Sequence, residues 1–214
     1  MDGTEEASAQ RRGRDADALT RDLLTYVLIP AWIVPGLLDW LWHRQTKIER
    51  TAGAHESLTH VLMAAEAGAG ITLGLFCEID AGVLAVMWAM AVLHEATVVW
   101  DVAYAAPRRK VAQHEHHTHS FLEALPFVTA ALASFMSPAQ ARALAGMGPE
   151  RPRFALRLSR TPPKRAAFAA LAAGILLGVG PYAEELVRCL RVKPTLAPHP
   201  AHDVRDRDGE PPVP

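Results

Sequence analysis

Asp39 and His43 stand four residues apart, and so do Glu56 and His60, in the stretch D-W-L-W-H-R-Q-T-K-I-E-R-T-A-G-A-H-E-S-L-T-H that joins two apolar segments. Residues four apart share one face of a helix. If the first pair closes one helix and the second opens the next, two carboxylate and imidazole pairs meet across a short connection. Carboxylate oxygen with imidazole nitrogen is a donor set for first-row metals such as iron, manganese or zinc. The stretch therefore predicts half of a metal site.

The other half is expected further along, where His94, Glu95 and Asp101 are followed by Q-H-E-H-H-T-H-S, which holds His114, His116, His117 and His119, and then by Glu123. On a helix, His94 and Asp101 lie two turns apart on nearly one face, whereas Glu95 points about 100° away from His94. His116 and His119, and His119 and Glu123, are further same-face pairs, and His114 with His117 forms an overlapping one. His43, Glu56, His60, His94, His117 and His119 are the expected metal ligands, with Asp39, Asp101 and Glu123 as ligands or supports. Asp101, Glu49 and Glu95 are suited to accept the second ring N–H of a ligating histidine. The lack of nearby thiols argues against a structural zinc knot.

The elements that must position these residues are legible from charge. Half of the 214 residues are hydrophobic, and charges are absent from 23–38, 61–77 apart from Glu66, 81–93, 124–141 and 166–183. With its flanks each block approaches the roughly 20 apolar residues that cross a bilayer, and each is apolar around most of its circumference. The expected fold is all-α, an integral-membrane bundle of about five helices with a metal site at one membrane face; a buried bundle in a soluble protein is the alternative. Helices are expected over about 21–43, with kinks at Pro30 and Pro35, then 55–77, 81–105, 112–136, bent or restarted at Pro126, and 166–187. A short interfacial helix is expected over 138–147. The last long helix offers no metal-ligating side chain before Glu184 and Glu185 and reads as a packing helix.

Consecutive spanning helices alternate direction, so helix one ends, helix two begins, helix three ends and helix four begins at one face. Counting His55, eight of the ten histidines fall at that face, and His199 and His202 lie in the C-terminal tail. Segments 1–20 and 191–214, polar and in the second case rich in proline, are expected to be disordered tails around a membrane domain over 21–190. Glu66, among the small residues of A-E-A-G-A-G, needs a partner inside a membrane. Cys77 and Cys189 fall at opposite faces and are expected to be free thiols. Trp40, Trp42, Trp88 and Trp100 suit an interfacial belt. No removable signal peptide is read, and a net charge of −1 without a basic stripe excludes a nucleic-acid surface.

Clustered histidines at one face of paired membrane helices resemble the integral-membrane fatty-acid hydroxylase, desaturase and alkane hydroxylase class of di-iron proteins. His114, His116 and His117 give H-x-H-H, near that class's H-x-x-H-H box, while Asp39/His43 and Glu56/His60 stand where that class has His/His pairs. The resemblance implies two iron ions, with zinc or manganese as alternatives, in an oxidoreductase acting on a hydrophobic, lipid-like substrate. Electrons would come from a separate donor, since the chain carries no flavin or nicotinamide fingerprint and no iron-sulfur cysteine framework. The expected location is the inner, cytoplasmic membrane with the histidine face cytoplasmic, in contact with the lipid bilayer and open to oligomerisation. Soluble carboxylate di-iron bundles are a second likeness. Membrane zinc hydrolases of the alkaline-ceramidase type are a third, for which Ser57, Asp101 and Ser120 are available, and a non-enzymatic metal-binding membrane protein is a fourth reading.

Overall fold

In the computed structural model, residues 18–159 and 163–192 are described, together with Arg11 and Asp15. The architecture is all-α. Five long helices, α1 (Ala18–Thr46), α2 (Ala54–Phe76), α3 (Ala81–Ala105), α4 (Gln113–Met136) and α6 (Arg165–Arg191), are long and apolar enough to cross a membrane. The short α5, Pro138–Leu144, follows α4 directly. Helix α1 starts three residues ahead of expectation, with Thr20 and Arg21 buried, so the first element takes in part of the presumed tail. The remaining tail expectations, most of 1–17 and all of 193–214, lie outside the described residues.

Local chemistry explains the boundaries. Lys47 takes the left-handed conformation (φ 54°) and its N–H returns to the carbonyl of His43, closing α1. Gly53, at φ 69° and ψ −149°, holds a backbone conformation that a side chain would oppose and opens α2. The turn between them is pinned by buried Ile48, whose carbonyl accepts from Gly53 N–H at 2.9 Å. This connection sets His43 against Glu56. Asp80 caps α3 by accepting from Val83 N–H at 2.9 Å, and its other oxygen accepts from Ala155 N–H at 2.9 Å. The segment after α5 is thereby tied to the α2–α3 turn, with Cys77 and Leu158 bridged in antiparallel fashion.

Two long helices each contain one widened turn. Leu24–Leu28 in α1 and Gly174–Val179 in α6 are π-helical, and they precede Pro30 and Pro181. Each proline lacks an N–H and crowds the carbonyl four residues earlier, which a wider turn relieves. Helix α4 passes through Pro126 without a break.

The packing core lies between α1, α2 and α6, where Leu24, Leu28, Ile29, Trp32, Ile71, Leu75 and Tyr182 are buried together. A second cluster of Val83, Leu84, Met87, Ala130 and Ala133 joins α3 to α4. Outside these seams the surface remains apolar: Phe135 is 79% and Leu176 70% exposed, and Val34, Val92 and Val99 join them. A helix of a water-soluble bundle turns polar residues outward. This outward belt has the character of a lipid-facing surface instead.

Candidate metal centre

The polar residues of the bundle collect at one end, between α1, α2, α3, α4 and α6. Asp39 and His43 point inward from the last turns of α1, and His60 from α2; His43 is fully buried and the other two nearly so. The rings of His43 and His60 stack, 4.6 Å between centroids and 11° apart in plane. His119 comes in from α4 and sets its Nε2 2.7 Å from Asp39 Oδ1. One donor atom from each of Asp39, His43, His60 and His119 lies within 4.8 Å of all the others. These four were all expected from the sequence.

A carboxylate that sequence reading left on a packing helix organises the pair of rings. Glu185, on α6 and fully buried, places one oxygen 2.9 Å from His43 Nδ1 and the other 3.1 Å from His60 Nδ1. Glu185 is placed to accept from both Nδ1 atoms; His43 Nε2 then faces Glu115 Oε1 at 3.1 Å and Asp39 Oδ1 at 3.6 Å, and His60 Nε2 faces Asp101 Oδ2 at 3.4 Å. This is the carboxylate–histidine arrangement that fixes tautomer and orientation in metal sites. Tyr182, one turn before Glu185, donates its hydroxyl to Asp39 Oδ2 at 3.1 Å. The far oxygen, Oδ1, is left for the cluster.

Asp39 Oδ1, His60 Nε2 and His119 Nε2 meet at the point of convergence without hydrogen-bond alignment, although His119 Nε2 stands 2.7 Å from Asp39 Oδ1 and His60 Nε2 3.4 Å from Asp101 Oδ2. Buried polar atoms in folded proteins are nearly always satisfied, and leaving one bare costs about 1–3 kcal/mol. Electron-pair donors crowded together in this way are what a cation satisfies. Five enclosed carboxylates, Asp39, Glu56, Asp101, Glu115 and Glu185, are faced by the Arg109 guanidinium and by the imidazoles of His43, His60 and His119. Arg188 reaches Glu185 only at 4.0 Å and is engaged by Glu49.

Glu56 and Asp101 join His60 in a further buried group whose donor atoms lie within 4.8 Å of one another, and the remaining expected ligands are placed apart from it. Glu56 is buried beside His60 but its carboxylate is taken by Arg109, whose Nε donates to Oε1 at 2.8 Å and to Oε2 at 3.1 Å. Asp101 lies 3.4 Å from His60 Nε2 through Oδ2, while its Oδ1 accepts the Thr59 hydroxyl. Asp101 therefore sits at the edge of the cluster. His94 faces the same cavity but sets Nδ1 3.2 Å from the Met63 carbonyl and 3.6 Å from Glu66. Glu66, in turn, accepts the Thr97 hydroxyl at 2.9 Å. Glu123 lines the cavity and lies against Glu95. His117 is exposed on the outer side of α4 and belongs to none of the converging groups. His55 stacks on Tyr104 at 3.9 Å and His114 lies against Trp42 at 4.1 Å.

Sequence reading missed Glu115, Glu185, Arg109 and Tyr182. Glu115 is four residues before His119 and faces the same way, a signal that spacing carried; its Oε1 lies 3.1 Å from His43 Nε2. Burial works against the charge of Arg109, but the hydrogen bonds it donates to Glu56 and then Glu115 outweigh that and raise its pKa. Of the serines considered for a hydrolase, Ser57 lies against Cys189, and exposed Ser120 donates to the His116 carbonyl at 3.0 Å. Neither reaches the cluster.

A cavity leads up to the converging donors. Trp32, Met63, Ala64, Val98, Val102 and Leu122 supply its apolar wall, and Asp39, His60, Asp101, His119 and Tyr182 its polar end. Such a pocket, apolar with a few convergent polar groups, is the usual form of a small-molecule site. Comparison of the chain with protein-family profiles, curated proteins and solved structures gives no match.

Proposed function

We propose that the chain is a membrane-embedded metal-dependent oxidoreductase whose ion is held by Asp39, His43, His60 and His119 and whose hydrophobic substrate enters the adjoining cavity. The observation that carries this reading is the convergence of three imidazole nitrogens and one carboxylate oxygen, three of these atoms buried without hydrogen-bond alignment. Four protein donors fill the tetrahedron that zinc prefers, and catalytic zinc usually has three. Iron and manganese accept five or six donors and keep positions open beside the same four. The set thus favours a redox metal, and one ion rather than the two expected from the sequence.

Bound there, iron or manganese supplies a change of oxidation state and an open coordination position. The chain supplies the rest. Glu185 holds two rings in the correct tautomer, and Tyr182 aims Asp39. Trp32, Met63, Val98 and Leu122 exclude water and receive an apolar molecule. Asp101, steadied by Thr59, is placed to accept or return a proton at the polar end. Electrons come from a separate donor, for which a cytoplasmic histidine face is the accessible side. The cavity is short, so it suits a compact substrate or one segment of an acyl chain.

The test compares the lipid and small apolar extracts of membranes carrying the wild-type chain and His60→Gln. Hydroxylated or unsaturated products present with the first and missing with the second are expected. Unchanged oxidised species together with altered hydrolysis products would replace this reading with a zinc-dependent amide or ester hydrolase.

A further inference from the structure

Beside the donor group assigned to the ion lies another, made of His43, Glu56 and Glu115, whose donor atoms are also within 4.8 Å of one another and whose side chains are fully buried. With His43 Nε2 already given to the first ion, Glu56 and Glu115 remain as a buried carboxylate pair beside it that could hold a second cation. The position between the carboxylates is filled. Arg109, from the connection between α3 and α4 and 5% exposed, donates through Nη2 to Glu56 and to Glu115 Oε1 at 2.5 Å. Its Nε adds the two bonds to Glu56.

We infer that the Arg109 guanidinium stands in the place of a second metal ion, so that the centre is built to hold one ion and to exclude another. This rests on the metal-centre reading above. Glu56 and Glu115 come from different helices and are fully buried, and two such carboxylates require a cation between them. A guanidinium meets that need with planar donors on both carboxylates and stays charged at any pH the protein experiences. A free ion competing for the position would have to displace a tethered one. Glu56 and Glu115 are accordingly counterions of Arg109 and not ligands of the resident ion.

The test is metal stoichiometry after reconstitution of purified full-length protein with ferrous iron alone, with manganese(II) in parallel. Wild type and Arg109→Lys are expected to hold one ion per chain and Arg109→Ala to hold two. Arg109→Gln, which keeps planar donors without the charge, should also hold two and serves where the alanine variant does not fold. A folded Arg109→Ala or Arg109→Gln protein that still holds one ion overturns the inference while leaving the metal-centre reading intact, and so does a wild type that holds two. If wild type holds none, the metal-centre reading fails, and the exclusion stands only if a folded Arg109 variant gains an ion. Independently, Glu115→Gln is expected to retain the single ion; its loss there would make Glu115 a ligand and overturn the assignment.

Discussion

Glu185 shows how much a single carboxylate decides at the scale of the residue. It touches His43 and His60 through the nitrogens that face away from the convergence point, so its removal should weaken metal binding without removing a ligand. Glu185→Gln is expected to cost roughly 10–100-fold in metal affinity, read by competition with a chelator, and a binding constant equal to wild type would show that the rings are oriented by something else. Asp39, His43, His60 and His119 were legible in the sequence because each pair signal is local: a spacing of four on one helix, or a histidine within a histidine-rich first turn. Glu185 was not legible, since its partners are more than a hundred residues away and nothing nearby marks it as inward-facing. His117 shows the converse error, for an H-x-H-H run must send some of its rings outward, and only the packing of α4 decides which.

At the scale of the element, the α2–α3 and α3–α4 hairpins follow from charge-free blocks and turn residues, and α3 occupies its expected span, Ala81–Ala105. The close seam between α1 and α6 was not legible. Gly178, inside the widened turn of α6, lies flat against the indole of Trp32, and a Cβ built there would stand 3.0, 3.3 and 3.4 Å from three of its ring atoms. A rigid ring buried between two helices cannot yield as a flexible side chain can. Gly178→Val is expected to destabilise the protein by about 1–3 kcal/mol, seen as a lower unfolding temperature in detergent, and to disturb the cavity that Trp32 lines. At the opposite end, burial of Cys77 and then the charge of Asp80 push its thiol upward, and Cys77 has no disulfide partner. A maleimide at neutral pH should leave Cys77 unmodified in the folded protein and label it after denaturation; rapid native labelling would mean that the segment around Leu158 does not cover it.

At the scale of the whole molecule, the account joins an outward apolar belt to an inward charged cluster, two features that explain each other. Enclosed carboxylates are tolerated only where charge is answered within the protein, and the answer is Arg109, the imidazoles of His43, His60 and His119, and the proposed ion. Alkaline carbonate treatment of expressed membranes should leave the chain in the pellet, since Phe135, Leu176 and their neighbours would otherwise face water. Release into the supernatant would return the bundle to the soluble class. The most direct test of the central claim is elemental analysis of protein purified without chelator, for wild type and for Asp39→Asn and His119→Gln. About one first-row ion, iron or manganese, is expected per wild-type chain, and its loss from both variants while they remain folded. A metal-free wild type, or full metal retained by folded variants lacking either ligand, would contradict it.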